Sequence, residues 1–313
     1  MSRAFVFPGQ GSQAVGMGRD VAEAFACARE VFEEIDEALG QNLSRLMFEG
    51  PDEELILTEN AQPAIMAVSM AVMQVLKSEG GVDLAATAAF VSGHSLGEYS
   101  ALAAAGCFSL ADTAGLLKTR GRAMQEAVPV GQGAMAALMG LDLDDVIAIA
   151  AAASVDGVCA AANDNAPGQV VVSGDAAAVE QAIEIAKEKG AKRAILLPVS
   201  APFHCPLMAP AAKVMAEALG EVAMQPLTVP LIANVTADVV ADLADIRSHL
   251  VDQVTGMVRW RECVLTMKNE GVDSLIEVGG GRVLAGLARR IDKELSAISV
   301  GTPDSIEEFL KGL

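Results

Sequence analysis

The stretch FVSGHSLGEYSAL, from Phe90 to Leu102, constrains the fold more than any other. A short apolar run enters Gly93-His94-Ser95-Leu96-Gly97, and a segment of helix-forming composition follows. The pattern G-x-S-x-G is weak alone: at average Gly and Ser usage, a chain of this length gives about 0.1 chance matches. Its setting is stronger, because a nucleophile elbow needs a strand before the serine and a helix after it. The two glycines remove side chains that would clash in the sharp turn, so that the Ser95 hydroxyl projects. The following helix directs free N–H groups towards the turn, and the Leu96 amide is placed to receive an oxyanion.

The rest of the chain extends this reading. Ala4–Phe7 predicts a buried strand, followed by the loop PGQGSQ. Pro51 to Gly80 has helical period. Thr87–Ser92 predicts the strand before the elbow, and helices are expected over Glu98–Ala105 and Leu110–Ala127. Between about 130 and 200 the pattern becomes strand 133–140, helix 144–154, strands 157–163 and 168–174, helix 176–190, strand 193–200. That βαββαβ order is the split-βαβ pattern of a ferredoxin-like unit. A helix over Pro210–Leu219, a strand over 229–234, an acidic helix over 241–254 and a strand over 274–279 come next. Strands alternating with helices on both sides of the middle unit predict a mostly parallel sheet covered by helices. The expectation is an α/β protein: a hydrolase-like large subdomain (1–129 and 200–313) carrying a ferredoxin-like insert (130–199).

Composition removes several function classes. A formal net charge of −19 opposes nucleic-acid binding, since phosphates are repelled. The longest apolar runs are about ten residues, whereas a membrane-spanning helix needs roughly 20. The opening MSRAFVFPGQGSQ shows no leader pattern. Five scattered cysteines without a CxxC pair suggest neither a disulfide framework nor a zinc site. A cytoplasmic location is expected.

A serine nucleophile needs a base, and the chain has three histidines. His94 adjoins Ser95 in the elbow, where neighbouring side chains diverge. His249 sits in an acidic helix and reads as a solvated-face residue. His204 lies in the Pro-bounded loop SAPFHCPLM, and loops at strand ends often carry function. By elimination His204 is the candidate base, while Cys205 beside it reads as incidental. The group that orients the imidazole is open: a carboxylate or a backbone carbonyl would serve.

Arg120 is the third candidate. Leu116, Leu117 and Met124 flank it at helical spacing, which places it on an apolar face. A buried guanidinium needs a partner. A structural Asp or Glu is one possibility; a substrate carboxylate held in bidentate fashion is the other.

With these residues in view the chain resembles the malonyl-CoA:acyl-carrier-protein transacylase family, the acyltransferases of fatty-acid and polyketide synthesis. The resemblance rests on FVFPGQGSQ, GHSLGEYSAL, TRGRAMQ, NAPGQVVVSG, PFHCPLM and EVGGGRVLAGL, in order along nearly the whole chain. It implies a ping-pong transfer of malonyl from malonyl-CoA to the phosphopantetheine thiol of acyl carrier protein. In it Ser95 is acylated, His204 is its base, and the backbone amides of Gln10 and Leu96 form the oxyanion hole. Arg120 holds the malonyl carboxylate, and Gln253 supplies the carbonyl that orients the histidine. Phe203 accompanies a preference for malonyl over α-methylated units in this family; one methyl discriminates by only about 1–3 kcal/mol. The resemblance implies no cofactor or metal, and a monomer is expected. An acidic carrier meeting an acidic enzyme needs a local basic patch, for which Lys192, Arg193, Arg289 and Arg290 are candidates. The glycines of VGGGR offer weak grounds for an anion site. The rival enzyme is a serine esterase or thioesterase, which shares Ser95 and His204 but leaves Arg120 without a reason. The non-enzymatic rival is a carrier-docking module with an inert serine.

Overall fold

The computed structural model describes residues 2–313 and contains two sheets. The larger has the order β10-β9-β1-β2-β7-β8. Its strands are β1 (Arg3–Phe7), β2 (Phe90–Gly93), β7 (Leu231–Ile232), β8 (Val239–Val240), β9 (Ser274–Val278) and β10 (Ser296–Val300). The pairs β10–β9, β9–β1, β1–β2 and β2–β7 are parallel, and only β8 runs antiparallel. β2 and β9 are buried throughout, as is β1 after Arg3. That explains why their sequences read as continuous apolar runs rather than alternating ones. Helices cover both faces; Phe309, from the C-terminal helix Pro303–Lys311, meets Phe5 edge-on at 6.1 Å.

The second sheet is antiparallel, with order β4-β5-β3-β6. It comprises β3 (Gly133–Met139), β4 (Cys159–Ala166), β5 (Gln169–Asp175) and β6 (Arg193–Leu196). Helices Leu143–Ala153 and Ala176–Glu188 pack against it around Val146, Ile149, Val172, Val179 and Ile183. Taken as a unit of four, the order is 2-3-1-4, the interleaved arrangement of a split βαβ. The two sheets are joined firmly. Asn163 bridges Val258, the Val258 amide donates to Ala162 and the Asp164 amide to Val258. The buried Asp164 also accepts from Arg261 at 2.8 Å.

Three local expectations shift. The strand predicted over Thr87–Ser92 begins only at Phe90, because a short helix, Leu84–Thr87, precedes it. Asp83 caps that helix through Ala85, and the Thr87 hydroxyl returns to the Asp83 carbonyl at 2.7 Å. The strand expected over 193–200 stops at Leu196, before Pro198, which has no amide to donate. Residues 197–200 instead turn along the cavity described below. Finally β10 extends the large sheet beyond the strands foreseen, and a C-terminal helix capped by a Thr302–Ser305 box follows it. No helix among the described residues is long and apolar enough to cross a membrane.

Candidate active site

The elbow forms where β2 gives way to the helix Gly97–Ala104. A Cβ on Gly93 would lie 1.9 Å from the Gly97 carbonyl oxygen, and one on Gly97 would lie 2.2 Å from that of Phe7. No side chain fits at either position. Ser95 itself has φ of 54°, in the left-handed region, which costs a non-glycine residue about 1–3 kcal/mol. That strain is offset by bonds that hold the turn. The Ser95 amide donates to Asn234 Oδ1 at 2.8 Å, and Asn234 Nδ2 donates to the Gly93 carbonyl at 2.7 Å. The Gly97 and Glu98 amides are taken by the carbonyls of His94 and Ser95. Among the described residues, the amides of Leu96 and Gln10 donate to no protein acceptor. The Gln10 side chain accepts from Thr58 Oγ1 at 3.1 Å.

Ser95 Oγ lies 2.7 Å from His204 Nε2, across 109 positions of chain. His204 also has a left-handed backbone, with φ of 58°. Its Nδ1 lies 2.8 Å from the backbone carbonyl of Gln253, near the end of the helix Leu243–Thr255. Of the two kinds of group considered, a backbone carbonyl and not a carboxylate faces Nδ1. Since a carbonyl only accepts, Nδ1 carries the proton and Nε2 presents its lone pair to the serine. Burial first, then the field of Arg120, pushes the His204 pKa down to about 3. The imidazole is neutral throughout the neutral and mildly acid range.

Arg120 is 1 % exposed, yet among the described residues it forms no ion pair within 4 Å. Its Nη1 donates to Gln62 Oε1 at 2.7 Å. Its Nη2 donates to Gln253 Oε1 at 2.8 Å and to Ser95 Oγ at 3.1 Å. The guanidinium stands 5.7 Å from the Tyr99 ring centre, and its Nε has no partner. A structural Asp or Glu, weighed from sequence, is not in hydrogen-bonding contact. Arg120 reaches this place because the adjoining Gly121 lets its helix, Leu110–Ala127, cross the helix Thr58–Gly80 closely; a Cβ there would meet the Glu59 Cα at 2.5 Å. Burial pushes the Arg120 pKa down, but a guanidinium stays protonated in proteins.

These groups open onto a cavity of about 600 Å³. Gln10, Ser95, Arg120, Phe203 and His204 line one side; Met135, Asn163, Asn165 and Val171 of the second sheet line the other. His94 also faces it, with Nε2 2.8 Å from Asn165 Oδ1 and its ring against Trp260. Its divergence from Ser95 is as the elbow geometry requires.

Sequence reasoning did not single out Asn234, Gln62, Tyr99 or Glu98. Asn234 follows the end of β7, a strand-end position that is the only local signal. The others lie on helices and look like ordinary amphipathic content. Two minor expectations change. His249 is half-buried rather than on a solvated face. The helix start after VGGGR is already occupied: the buried Glu277 carboxylate accepts from the Leu284 and Ala285 amides at 3.0 and 2.9 Å. An anion there would find both amides already taken. Of the four proposed surface cations, Arg289 donates to the Ala297 carbonyl and Arg290 to Gln169. Lys192 and Arg193 are exposed at the start of β6, whose continuation lines the cavity.

The family model "Acyl transferase domain" matches residues 4–298. The malonyl CoA-acyl carrier protein transacylase of Bacillus subtilis (strain 168) is 47% identical over 311 residues, covering 99% of this chain and 96% of that protein. The chain belongs to the malonyl CoA-acyl carrier protein transacylase family. It is an acyltransferase with the family's mixed α/β fold. A solved acyl-carrier-protein S-malonyltransferase from Bartonella henselae superposes with a TM-score of 0.97 at 56% identity, covering 100% of this chain and 99% of that one. A further transacylase of the family, solved in complex with its type II PKS acyl-carrier protein, superposes with a TM-score of 0.96 at 40% identity, with both chains fully covered.

Proposed function

We propose that the protein transfers the malonyl group of malonyl-CoA to the phosphopantetheine thiol of acyl carrier protein, in fatty acid biosynthesis, through a malonyl-serine intermediate. Ser95 Oγ attacks the thioester carbonyl while His204 Nε2 accepts its proton, aided by the Gln253 carbonyl at Nδ1. The oxyanion rests on the Gln10 and Leu96 amides. Removing one such donor typically costs ~10²–10³ in rate. The tetrahedral intermediate collapses, His204 returns the proton to the departing thiolate, and coenzyme A leaves. The carrier thiol then attacks the ester while His204 takes its proton; the C–Oγ bond breaks, His204 returns that proton to Ser95 Oγ, and the malonyl thioester of the carrier departs. Arg120 pairs with the malonyl carboxylate and holds the thioester carbon over Ser95.

One observation carries this reading: a buried guanidinium without a carboxylate partner, 3.1 Å from the candidate nucleophile. An acyl group that brings its own carboxylate supplies the direct carboxylate contact that the guanidinium lacks. A plain esterase site has no use for it. In the same reading the large subdomain (1–129 and 200–313) supplies nucleophile, base and guanidinium, and the insert (130–199) forms the opposite wall. Phe203 crowds an α-methyl group, and Lys192 and Arg193 help seat the carrier. The enzyme works in the cytoplasm as a monomer, without metal or prosthetic group.

Incubation with malonyl-CoA, with and without holo acyl carrier protein, tests the reading. Malonyl-carrier is the expected product, and little free malonate appears when the carrier is absent. Rapid malonate release regardless of carrier would mean that water is the natural acceptor.

The depressed pKa of His204 makes a second expectation. An ordinary imidazole near 6.5 would lose its basic form as pH falls through that value. Here the neutral ring persists, so on the acid side kcat/KM for malonyl-CoA has no limb near 6.5 and falls only as pH approaches the lowered His204 value of about 3. The sign for stability follows: between about pH 6.5 and 3 the unfolded chain binds a proton that the folded site refuses, so stability falls as pH falls across that window. A rate profile with an inflection at 6–7 tracing to His204 would contradict the burial argument.

A further inference from the structure

One buried group at the site has no part in the mechanism above. Glu98 follows Ser95 by three residues in the helix Gly97–Ala104 and is 1 % exposed. Its Oε2 accepts from the Asn234 amide at 3.1 Å and from Gln253 Nε2 at 2.8 Å. Gln253 also donates to the Ser95 carbonyl and, through Oε1, accepts from Arg120. One amide side chain therefore links Glu98 to the guanidinium. Glu98 Oε1 is buried and has no partner.

The described residues contain two other buried carboxylates, and both are committed. Asp164 pairs with Arg261, and Glu277 caps the helix Val283–Ile291 and accepts from Ser299. Glu98 is the buried acid left to balance Arg120. It does so across a bridging amide, so that the guanidinium edge that touches Ser95 Oγ and lines the cavity has no carboxylate of its own and can meet a second one. When that second carboxylate arrives, two negative charges would share one positive charge in a dry site, an arrangement that drives one of them to protonate. The free Oε1 can take that proton while Oε2 keeps both of its hydrogen bonds.

We propose that Glu98 is the internal counter-charge of Arg120, and that it takes up one proton from solvent when a substrate carboxylate pairs with that guanidinium. The proposal rests on the assignment of Arg120 to the malonyl carboxylate. The net charge of the trio stays at zero: Glu98⁻ with Arg120⁺ before binding, neutral Glu98 with Arg120⁺ and malonyl⁻ after it. Glu98 is thus a positioning residue that acts through Gln253 and Arg120, and while ionised it competes with the charge of the acyl group for that guanidinium.

The surroundings suit a titration near neutrality. Burial pushes the Glu98 pKa up to about 7, against the opposing hydrogen bonds and the field of Arg120. Tyr99, on the same helix, is pushed up to about 12, and the thiol of Cys263, from the helix Trp260–Asn269, is pushed well up. Neither changes charge in this range. Arg120 is the one buried charge on Leu110–Ala127. β2 carries no titratable side chain, and β1 has only Arg3, at the end away from the elbow. On Thr58–Gly80, Glu59 pairs with Lys118, and Lys77 and Glu79 are exposed in the last turn. His204, on the far side of Gln253, is already neutral.

Calorimetry in buffers of differing ionisation enthalpy tests the proposal, with Ser95→Ala holding the ligand unreacted. Malonyl-CoA binding at pH 8 is expected to take up about 0.9 proton per site, and acetyl-CoA almost none. Above pH 7 the malonyl-CoA dissociation constant rises about tenfold per pH unit, while that of acetyl-CoA does not follow. Adding Glu98→Gln, which keeps the two acceptor bonds, removes both the uptake and the pH dependence. No uptake with malonyl-CoA overturns the proposal, and so does equal uptake in the Glu98→Gln protein. If the glutamine variant does not fold, the Ser95→Ala protein alone decides. Failure of the underlying reading is recognised separately: Arg120→Ala would then leave malonyl and acetyl equally affected.

Discussion

Ser95→Ala is expected to abolish malonyl transfer, with a loss in kcat on the order of 10⁶. Nucleophile, base and orienting carbonyl act as one unit, and removing the nucleophile forfeits nearly all that the unit contributes. The chain Gln253 carbonyl, His204 Nδ1, His204 Nε2, Ser95 Oγ runs through contacts of 2.8 and 2.7 Å, so no other hydroxyl can substitute without moving the imidazole. Intact-mass measurement after mixing with malonyl-CoA reads the result directly: the unaltered protein gains one malonyl group and the variant gains none. The fold should survive. Alanine has a Cβ as serine does, so the left-handed turn at this position is strained to a similar degree, and the Asn234 bonds involve only backbone. Stability is expected to change by no more than about 1 kcal/mol. A variant that still acquires malonyl at full rate would mean that another residue is acylated.

Arg120→Ala is expected to lower kcat/KM for malonyl-CoA far more than for acetyl-CoA. Losing one partner of a buried charged pair costs about 2–5 kcal/mol. The ratio of the two specificity constants should therefore shift towards acetyl by ~10²-fold or more. The ratio matters because Arg120 also touches Ser95 Oγ and Gln253, so some loss is common to both acyl groups. Arg120→Lys should recover little. An ammonium cannot reach Gln62, Gln253 and a substrate carboxylate from one planar fork. Equal losses with the two thioesters would remove the guanidinium from recognition and leave it a structural role in holding the amides of Gln62 and Gln253.

Much of this protein is legible in its sequence. The strand–turn–helix at Ser95 was legible because only glycine satisfies the contacts that Gly93 and Gly97 make, and those contacts are local. The βαββαβ order of the middle segment was legible because period and turn chemistry are local too. His204 followed from scarcity, there being three histidines to choose from. Motif resemblance pointed to the acyltransferase family, and the comparisons bear that out.

Tertiary structure decided the rest, and the reason is physical. Whether Arg120 faces a carboxylate depends on how two helices cross at Gly121, a distance that no spacing in the sequence encodes. The same holds for Asn234, for Glu98 and for the side-chain bonds of Gln253, a residue the resemblance names only for its carbonyl; these groups lie up to 158 positions from the ones they bond. A buried glutamine or glutamate on a helix looks in sequence like any polar residue on a solvated face. Only its enclosure, and the atoms opposite each of its oxygens, turn it into part of a charge network.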